Sequence, residues 1–356
     1  MQKFSSKSNT PLQVVILGGG FCGTLVAKNL EKHRGLSTIL IDKKSYFEYT
    51  PKIHRLPLEA SFVKKKRRSY AKILRNTEII TDKIRKVTPK TVETEQNKVS
   101  FDFLVIATGI EYPIRLDKTT AIFPLKSSED AIQIGLKLPD AERIIIIGGG
   151  LIGTEVAAEL ATKTKNKHII LVHSKERLLE RLPIRAANYA EKFLRRQGVS
   201  IFLGERIVEH HGNQFVGSSG HIFNADLGIW SAGIEWNPTF MQEFPSTVFS
   251  SQSALRVNPF LQLSGYSNIF VGGDITNISE EKTAQHAERH AKIIYRNILR
   301  KINEKPLVPY LIQSRPLTVT LGDWNGIISY KNLVVVGLLP ALGKALVDWW
   351  TFRRYS

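Results

Sequence analysis

Three observations predict an α/β protein built on two dinucleotide-binding units. The apolar run Val14-Val15-Ile16-Leu17 leads into Gly18-Gly19-Gly20-Phe21-Cys22-Gly23. The run Ile144-Ile145-Ile146-Ile147 leads into Gly148-Gly149-Gly150-Leu151-Ile152-Gly153. Each loop is followed by a helix-like segment and a second apolar strand. A strand running into GxGxxG and then a helix opens a βαβ unit for a dinucleotide. One such loop is a weak signal. Two in one chain imply two dinucleotides held together.

The first unit predicts a strand over 14–17, a helix near Thr24–His33 and a strand over Thr38–Ile41 that ends at Asp42. Asp42 stands about 20 residues past the loop, where a carboxylate meets an adenosine ribose. Gly18 makes the tight turn, Gly20 admits the pyrophosphate, and Gly23 lets helix and strand pack closely. The pyrophosphate belongs on the helix N-terminus, where free N–H groups favour an anion. Glu78–Ile80 and Lys98–Val105 read as short strands. Phe101–Gly109 is an apolar strand ending in the small turn Ala107-Thr108-Gly109.

The second unit opens at Arg143, with Thr154–Leu160 in its helix and His168–Val172 as its second strand. The ribose-contacting acid is due at His173 and is absent. Ser174, Lys175 and Arg177 follow, groups that suit a 2′-phosphate; a site that accepts both nicotinamide cofactors is an equal reading. Leu227–Trp230 runs into Ser231-Ala232-Gly233, and the strand at Asn268–Val271 runs through Gly272-Gly273 to Asp274. Thr283–Arg300 predicts a long helix with the stripe Ala284, Ala287, Ala291, Ile294 and Ile298. Thr318–Leu321 and Ile327–Tyr330 flank Gly322–Gly326 as a hairpin.

The tail is apolar over Leu333–Gly343, interrupted by Pro340. From Lys344 to Phe352 a helix would place Leu342, Ala345, Leu346, Trp349 and Trp350 on or near one face, closed by Arg353 and Arg354. That pattern fits a helix lying in a membrane interface. A helix packed on the core or on a second subunit is the other reading.

At 356 residues the chain has room for two or three domains, and its net charge of +18 predicts attraction to polyanions. The densest cluster, Lys64-Lys65-Lys66-Arg67-Arg68, reads either as a solvated loop or as a membrane-facing patch. Cys22 is the only cysteine, so no intrachain disulfide, cysteine-pair chemistry or Cys-based metal site is expected. Cys22 itself reads as structural. The stretch Met1–Thr10 is polar without a secretory signal, Gln2 gives no N-myristoylation signal, and no run approaches the ~18 apolar residues of a spanning helix. The expected location is cytoplasmic, peripheral to the inner face of a membrane.

The order Gly18–Gly23, Asp42, Ala107-Thr108-Gly109, Gly148–Gly153 with Glu155, Ser231-Ala232-Gly233 and Gly273-Asp274 resembles a known family along nearly the whole chain. It is similar to the two-dinucleotide-binding flavoproteins that include type II NADH:quinone dehydrogenases and apoptosis-inducing-factor relatives, nearest the ferroptosis-suppressor-like branch. Phe47 with Arg55, Glu59 and Phe62, the stretch Leu171–Ser174, and Lys282–Ile298 with His290 carry the likeness to that branch. The resemblance implies FAD and NAD(P)H domains in a glutathione-reductase-like arrangement. The expected division is 11–112 and 251–305 for FAD, 113–250 for NAD(P)H, and 306–356 for a hairpin and membrane-facing segment.

The same resemblance implies roles. Gly18, Gly20, Phe21, Gly23, Asp42 and Lys43 would hold the ADP half of FAD. Thr108 and Gly109 would pass close to the flavin, and Gly273 and Asp274 would hold its ribityl chain. Gly148, Gly150, Gly153, His173 and Gly233 would hold NADH or NADPH. Glu155 would stand near nicotinamide and flavin as one catalytic residue; its other reading is an ordinary acid in a helix first turn. His290 departs from the Gln-Gln pair usual in type II dehydrogenases, and reads either as a hydrogen-bond partner or proton donor to quinone or as a polar helix residue without chemistry. The implied activity is hydride transfer from NAD(P)H to FAD and two-electron reduction of a membrane quinone. The alternatives are a flavin-bound signalling or nucleic-acid-binding protein and a reductase for a ferredoxin-like partner. The chain lacks a nucleic-acid motif, so nucleic acid is not an expected partner; a homodimer is left open.

Overall fold

The computed structural model describes residues 10–355 apart from 60–62, 64, 65, 115 and 117–120. Phe62, Lys64, Lys65 and the polar stretch 1–9 therefore lie outside the described residues.

The first βαβ unit is β1 (Leu12–Leu17), α1 (Phe21–Leu30) and β2 (Leu36–Asp42). Short strands β3 (Tyr46–Glu48) and β4 (Arg67–Ser69) pair antiparallel, and a single turn α2 (Tyr70–Ile73) leads to β5 (Thr77–Thr81) beside β2. Strands β6 (Ile84–Val87), β7 (Thr91–Thr94) and β8 (Lys98–Ser100) form a separate antiparallel sheet, and β9 (Phe103–Ile106) returns to β1. The expected strand over Lys98–Val105 is thus two strands. The backbone of Asp102 donates to Gln13 O at 2.9 Å and its carboxylate accepts from Gln13 N at 2.7 Å, which turns the chain from one sheet into the other.

The chain crosses through β10 (Ile122–Pro124) and α3 (Ser128–Lys137) into β11 (Arg143–Ile147), α4 (Leu151–Lys163), β12 (His168–His173), α5 (Ile184–Arg196) and β13 (Ser200–Leu203). The antiparallel strands β14 (Ile207–His211), β15 (Gln214–Gly217) and β16 (Ile222–Asn224) precede β17 (Leu227–Trp230). The chain returns at β18 (Ile269–Val271) and α6 (Ala284–Ile302). Two five-stranded parallel sheets result, ordered β18-β9-β1-β2-β5 and β10-β17-β11-β12-β13. Val14–Leu17 and Ile144–Ile146 are fully buried, as strands covered on both faces require. The stripe on α6 packs as expected: Ala291, Ile294 and Ile298 are sealed against Val26, Ala27 and Leu30 of α1.

Strands β19 (Leu317–Leu321), β20 (Asn325–Tyr330) and β21 (Leu333–Gly337) form a three-stranded antiparallel sheet, so the expected hairpin gains a third strand. Helix α7 (Leu338–Arg353) follows. It begins six residues before the expected start at Lys344. Pro340 is its third residue, where no intrahelical N–H bond is due, so the ring begins the helix instead of breaking it. Likewise α1 starts at Phe21, ahead of the expected Thr24, because Gly20 is its N-cap.

The basic cluster is not a solvated loop in its described part. Arg67 lies in β4, stacks 4.5 Å from the Tyr46 ring and pairs with Glu129 at 2.8 Å, while Arg68 stacks 4.6 Å from Phe352. Among the described residues no helix is long and apolar enough to cross a membrane.

Candidate active site

At the first loop Gly18 has φ +92° and donates to Ile41 O at 2.9 Å. A Cβ on Gly23 would stand 1.9 Å from Gly18 O, so only glycine fits. A Cβ on Gly20 would meet nothing within 4 Å, which leaves an open berth over the helix end. Helix α1 has no side-chain cap and no acid in its first turn, so its N–H groups are offered to an external anion. Asp42 closes β2 beside the loop, accepting from Gly19 N at 2.6 Å and Lys44 N at 2.8 Å. Tyr70 donates to Gly19 O at 2.9 Å and fixes the loop from behind.

The side chain of Phe21 turns away from the berth. Its ring is in the core, 5.1 Å from Phe47 and 5.4 Å from Tyr355, so only its backbone faces the berth. Lys43 lies close enough to Lys126 to help depress it; burial is the larger cause, and the Lys126 ammonium is held below the usual lysine range. Asp274 feels Lys126 too. Sequence reading missed Lys126, since no spacing links a residue on the crossover to this cleft.

Thr108 Oγ1 is buried without a hydrogen-bond partner, and Gly109 has φ +77° with open space where a Cβ would point. Gly273 has φ +75°. Burial pushes the Asp274 carboxyl up against the pull of Lys282 and His286. Helix α6 starts nearby with no side-chain cap and no acid in its first turn. An orphaned hydroxyl, an open glycine cradle and two free helix ends fit FAD.

His290 is buried under this turn. Its Nδ1 accepts from Gly273 N at 3.0 Å, its Nε2 lies 2.8 Å from Glu280 Oε1, and its ring packs edge-on to Tyr310 at 4.5 Å. Nδ1 is hydrogen-bonded within the fold, and Nε2 faces the Glu280 carboxylate without a formed hydrogen bond. Through Nδ1 the ring braces the turn that carries Asp274.

The second loop repeats the first. Gly148 has φ +113°, a Cβ on Gly153 would stand 1.8 Å from Gly148 O, and Gly150 is open. Helix α4 has no side-chain cap and no first-turn acid. Gly233, φ +67°, also opens to free space. His173 ends β12 with its ring behind Gly149, where a Cβ would come within 2.9 Å of Cγ. Its Nε2 lies 3.2 Å from Glu180 Oε2, a carboxylate carried by the following loop. Arg177 donates to Leu182 O at 2.8 Å and Glu180 O at 2.5 Å, which staples that loop and occupies a group expected to be free for a phosphate.

Glu155 stands just beyond the first turn of α4, so it is not the first-turn acid of its simpler reading. Its Oε1 accepts from Thr320 N at 2.8 Å, Thr320 Oγ1 at 2.9 Å and Lys344 Nζ at 2.5 Å. His54 Nδ1 lies 3.4 Å from Oε2. Burial pushes the Glu155 carboxyl up, but Lys344, aided by the Thr320 N–H, outweighs it and holds it below the usual range. Burial pushes the His54 imidazole down to about 3, so it is neutral. Arg55 and Glu59 pair along the same helix, Arg55 3.6 Å from Glu159 and Glu59 2.9 Å from Lys163. Sequence reading placed Glu155 but missed Lys344, His54 and Thr320, which lie far from it in sequence.

The sequence pattern of the pyridine nucleotide-disulphide oxidoreductases matches residues 12–291. Ferroptosis suppressor protein 1 of Taeniopygia guttata is 29% identical over 349 residues, covering 94% of this chain and 92% of that protein. The alternative NAD(P)H-ubiquinone oxidoreductase C1 of Arabidopsis thaliana is 25% identical, covering 96% of this chain and 77% of its own. The structure of NDH2 from Plasmodium falciparum in complex with NADH superposes with a TM-score of 0.85 at 16% identity, covering 97% of this chain and 96% of that one, and so shares the fold. With two glycine-rich berths on two parallel sheets and a match over most of its length, this chain belongs to the pyridine nucleotide-disulphide oxidoreductase family.

Proposed function

We propose that the chain is an FAD-dependent NAD(P)H:quinone oxidoreductase working at the inner, cytoplasmic face of a membrane. The observation that carries the reading is the pair of open, uncapped helix N-termini at Gly20 and Gly150 in one molecule. The relative named for NAD(P)H and ubiquinone supports the substrate pair. Bound FAD supplies the redox chemistry, accepting hydride from the nicotinamide and passing two electrons on.

The chain's own residues bind and orient. Gly18, Gly20, Gly23 and the α1 N-terminus take the FAD pyrophosphate, with Lys126 and Lys43 as cations nearby, and Asp42 accepts from the ribose. Thr108 and Asp274 would bond the flavin half, Asp274 on the turn that His290 braces through Gly273 N. Gly148, Gly150, Gly153 and the α4 N-terminus take NAD(P)H, with Gly233 and His173 beside them. Ionised Glu155 fixes the Lys344 ammonium at the inner end of the site and keeps a proton donor there.

Helix α7 supports the membrane contact. Its polar residues Lys344 and Asp348 are buried, whereas Leu339 is 75% exposed, Leu346 68%, Trp349 59% and Trp350 59%. A helix with charges inward and tryptophans outward has the polarity of a surface that lies against lipid. Arg353 and Arg354 stack on Trp349 and Trp350 at 4.6 and 3.8 Å, a cationic rim at headgroup level. A second subunit on this face is the competing occupant.

Stopped-flow flavin absorbance tests the reading. Mixing with NADH or NADPH should bleach the flavin, and a short-chain ubiquinone should restore it. Bleaching without quinone-driven recovery would redirect the reading to a protein acceptor. A protein that takes up no FAD would end it.

A further inference from the structure

Resting on the quinone reading, the inner face of α7 supports a further step. Reduction of one quinone by one NADH follows NADH + H+ + quinone → NAD+ + quinol, so one proton per turnover comes from the medium. The outer face of α7 is apolar and, against lipid, keeps water away from that side of the site.

Under the helix lies a row of alternating charges. Glu155 holds Lys344 at 2.5 Å. Asp348 stands one helical turn on from Lys344, on the same face. Its side chain is 8% exposed, Tyr49 donates to its Oδ1 at 2.9 Å, and Lys52 Nζ lies 3.6 Å from its Oδ2. Lys66 lies near enough to feel both Lys52 and Asp348. Lys52 is 20% exposed, so the row reaches solvent at the helix's inner edge.

We propose that Asp348 recharges Lys344 with protons drawn from water at the Lys52–Lys66 edge. At each turnover an O–H bond forms on the quinone as an N–H bond of Lys344 breaks. The amine regains its proton from the Asp348 carboxyl one helical turn away, passed across the gap by a bridging water, and the Asp348 carboxylate then takes a proton from water at the edge. A tether for α7 needs no carboxyl: an apolar residue would anchor the helix without the cost of burying an acid. Burial, outweighing Lys344, Lys52 and Tyr49, pushes the Asp348 carboxyl above the usual range, with the Glu155 charge adding to it; this suits a group that binds and releases a proton.

The test compares wild type with Asp348→Asn and Asp348→Glu, each loaded with FAD. Bleaching by NADH without quinone should be unchanged in both. Recovery with a short-chain ubiquinone should slow about tenfold or more in Asp348→Asn, acquire a solvent isotope effect and lose its pH dependence, and Asp348→Glu should restore most of it. Recovery of Asp348→Asn at the wild-type rate overturns the proposal. A second readout needs no turnover: a hydrophobic carbodiimide, which attacks protonated buried carboxyls, should label Asp348 at low pH and progressively less as pH rises, read by peptide mass spectrometry. Labelling of Glu155 in preference to Asp348 also overturns it. A wild-type protein that bleaches but ignores quinone defeats the quinone reading instead, and is told apart by its failure before any substitution is made.

Discussion

Replacing Lys344 by Met removes one partner of a buried ion pair while keeping most of the side-chain volume. Glu155 then retains two bonds from Thr320 and a neutral His54, but no cation within reach. Breaking such a pair from one side costs about 3–5 kcal/mol. The sign of the pH dependence follows from Glu155. In the wild type its carboxyl is held below the unfolded value of about 4.3, so the pair's stabilisation is complete above that pH and is lost as pH falls through the folded value. Without Lys344 burial dominates and the folded carboxyl moves above the unfolded value. The variant then loses stability as pH rises from about 4 toward its new, higher value. The gap between the two proteins should be small near pH ~4 and reach about 3–5 kcal/mol near neutrality. Urea unfolding at several pH values, at equal FAD saturation because bound ligand adds its own stabilisation, reads it directly. A neutral-pH gap under about 1 kcal/mol, or one that does not narrow toward acid, would refute the account of Glu155 as a buried carboxylate kept ionised by Lys344.

Three other outcomes are expected. Gly23→Ala puts a methyl 1.9 Å from Gly18 O, so the purified protein should lose most of its flavin absorbance while the second unit still binds NADH; full flavin content would show that the loop can shift. Glu180→Gln removes the charge facing His173 and so the repulsion of a 2′-phosphate; calorimetry should show NADPH gaining on NADH by about tenfold, and an unchanged ratio would place the ribose elsewhere. Leu346→Glu with Trp350→Glu puts charges on the outward face of α7 and should abolish sedimentation with anionic vesicles while leaving the unfolding midpoint nearly unchanged; a large drop in stability would mean that face is buried against protein.

The two loops, Asp42 and the α6 stripe are legible because they rest on local patterns: a strand, fixed glycine spacing, a 3.6-residue period. Helix α7 is half legible. Its apolar face shows in the spacing, but the tertiary fold decides that Lys344 and Asp348 point inward, by offering Glu155, Tyr49 and Lys52 as partners. The cluster around Glu155 joins residues 54, 155, 320 and 344, and no sequence window contains it. Glu180 is a nearer case. An acid seven residues after a histidine at the ribose position is a signal once the loop is known to fold back. At Phe21 the GxGxxG pattern marks the backbone, while the ring answers to Phe47 and Tyr355, which no local window contains.

The aromatic knot at the first unit has a consequence for how the chain matures. Tyr355 stacks on Phe47 at 4.1 Å and approaches Phe21 O at 3.4 Å, a contact across 334 residues. At ~5–20 residues per second of synthesis, Phe21 waits roughly 20–70 s for its partner. Throughout that interval the hollow bounded by Phe21, Phe47 and Tyr49 is open and apolar. The first βαβ unit therefore completes its aromatic packing only once residue 355 has joined it. A chain that lacked Tyr355 would leave the rings of Phe21 and Phe47 without their stacking partner, so the packing behind the first glycine loop depends on the far end of the sequence.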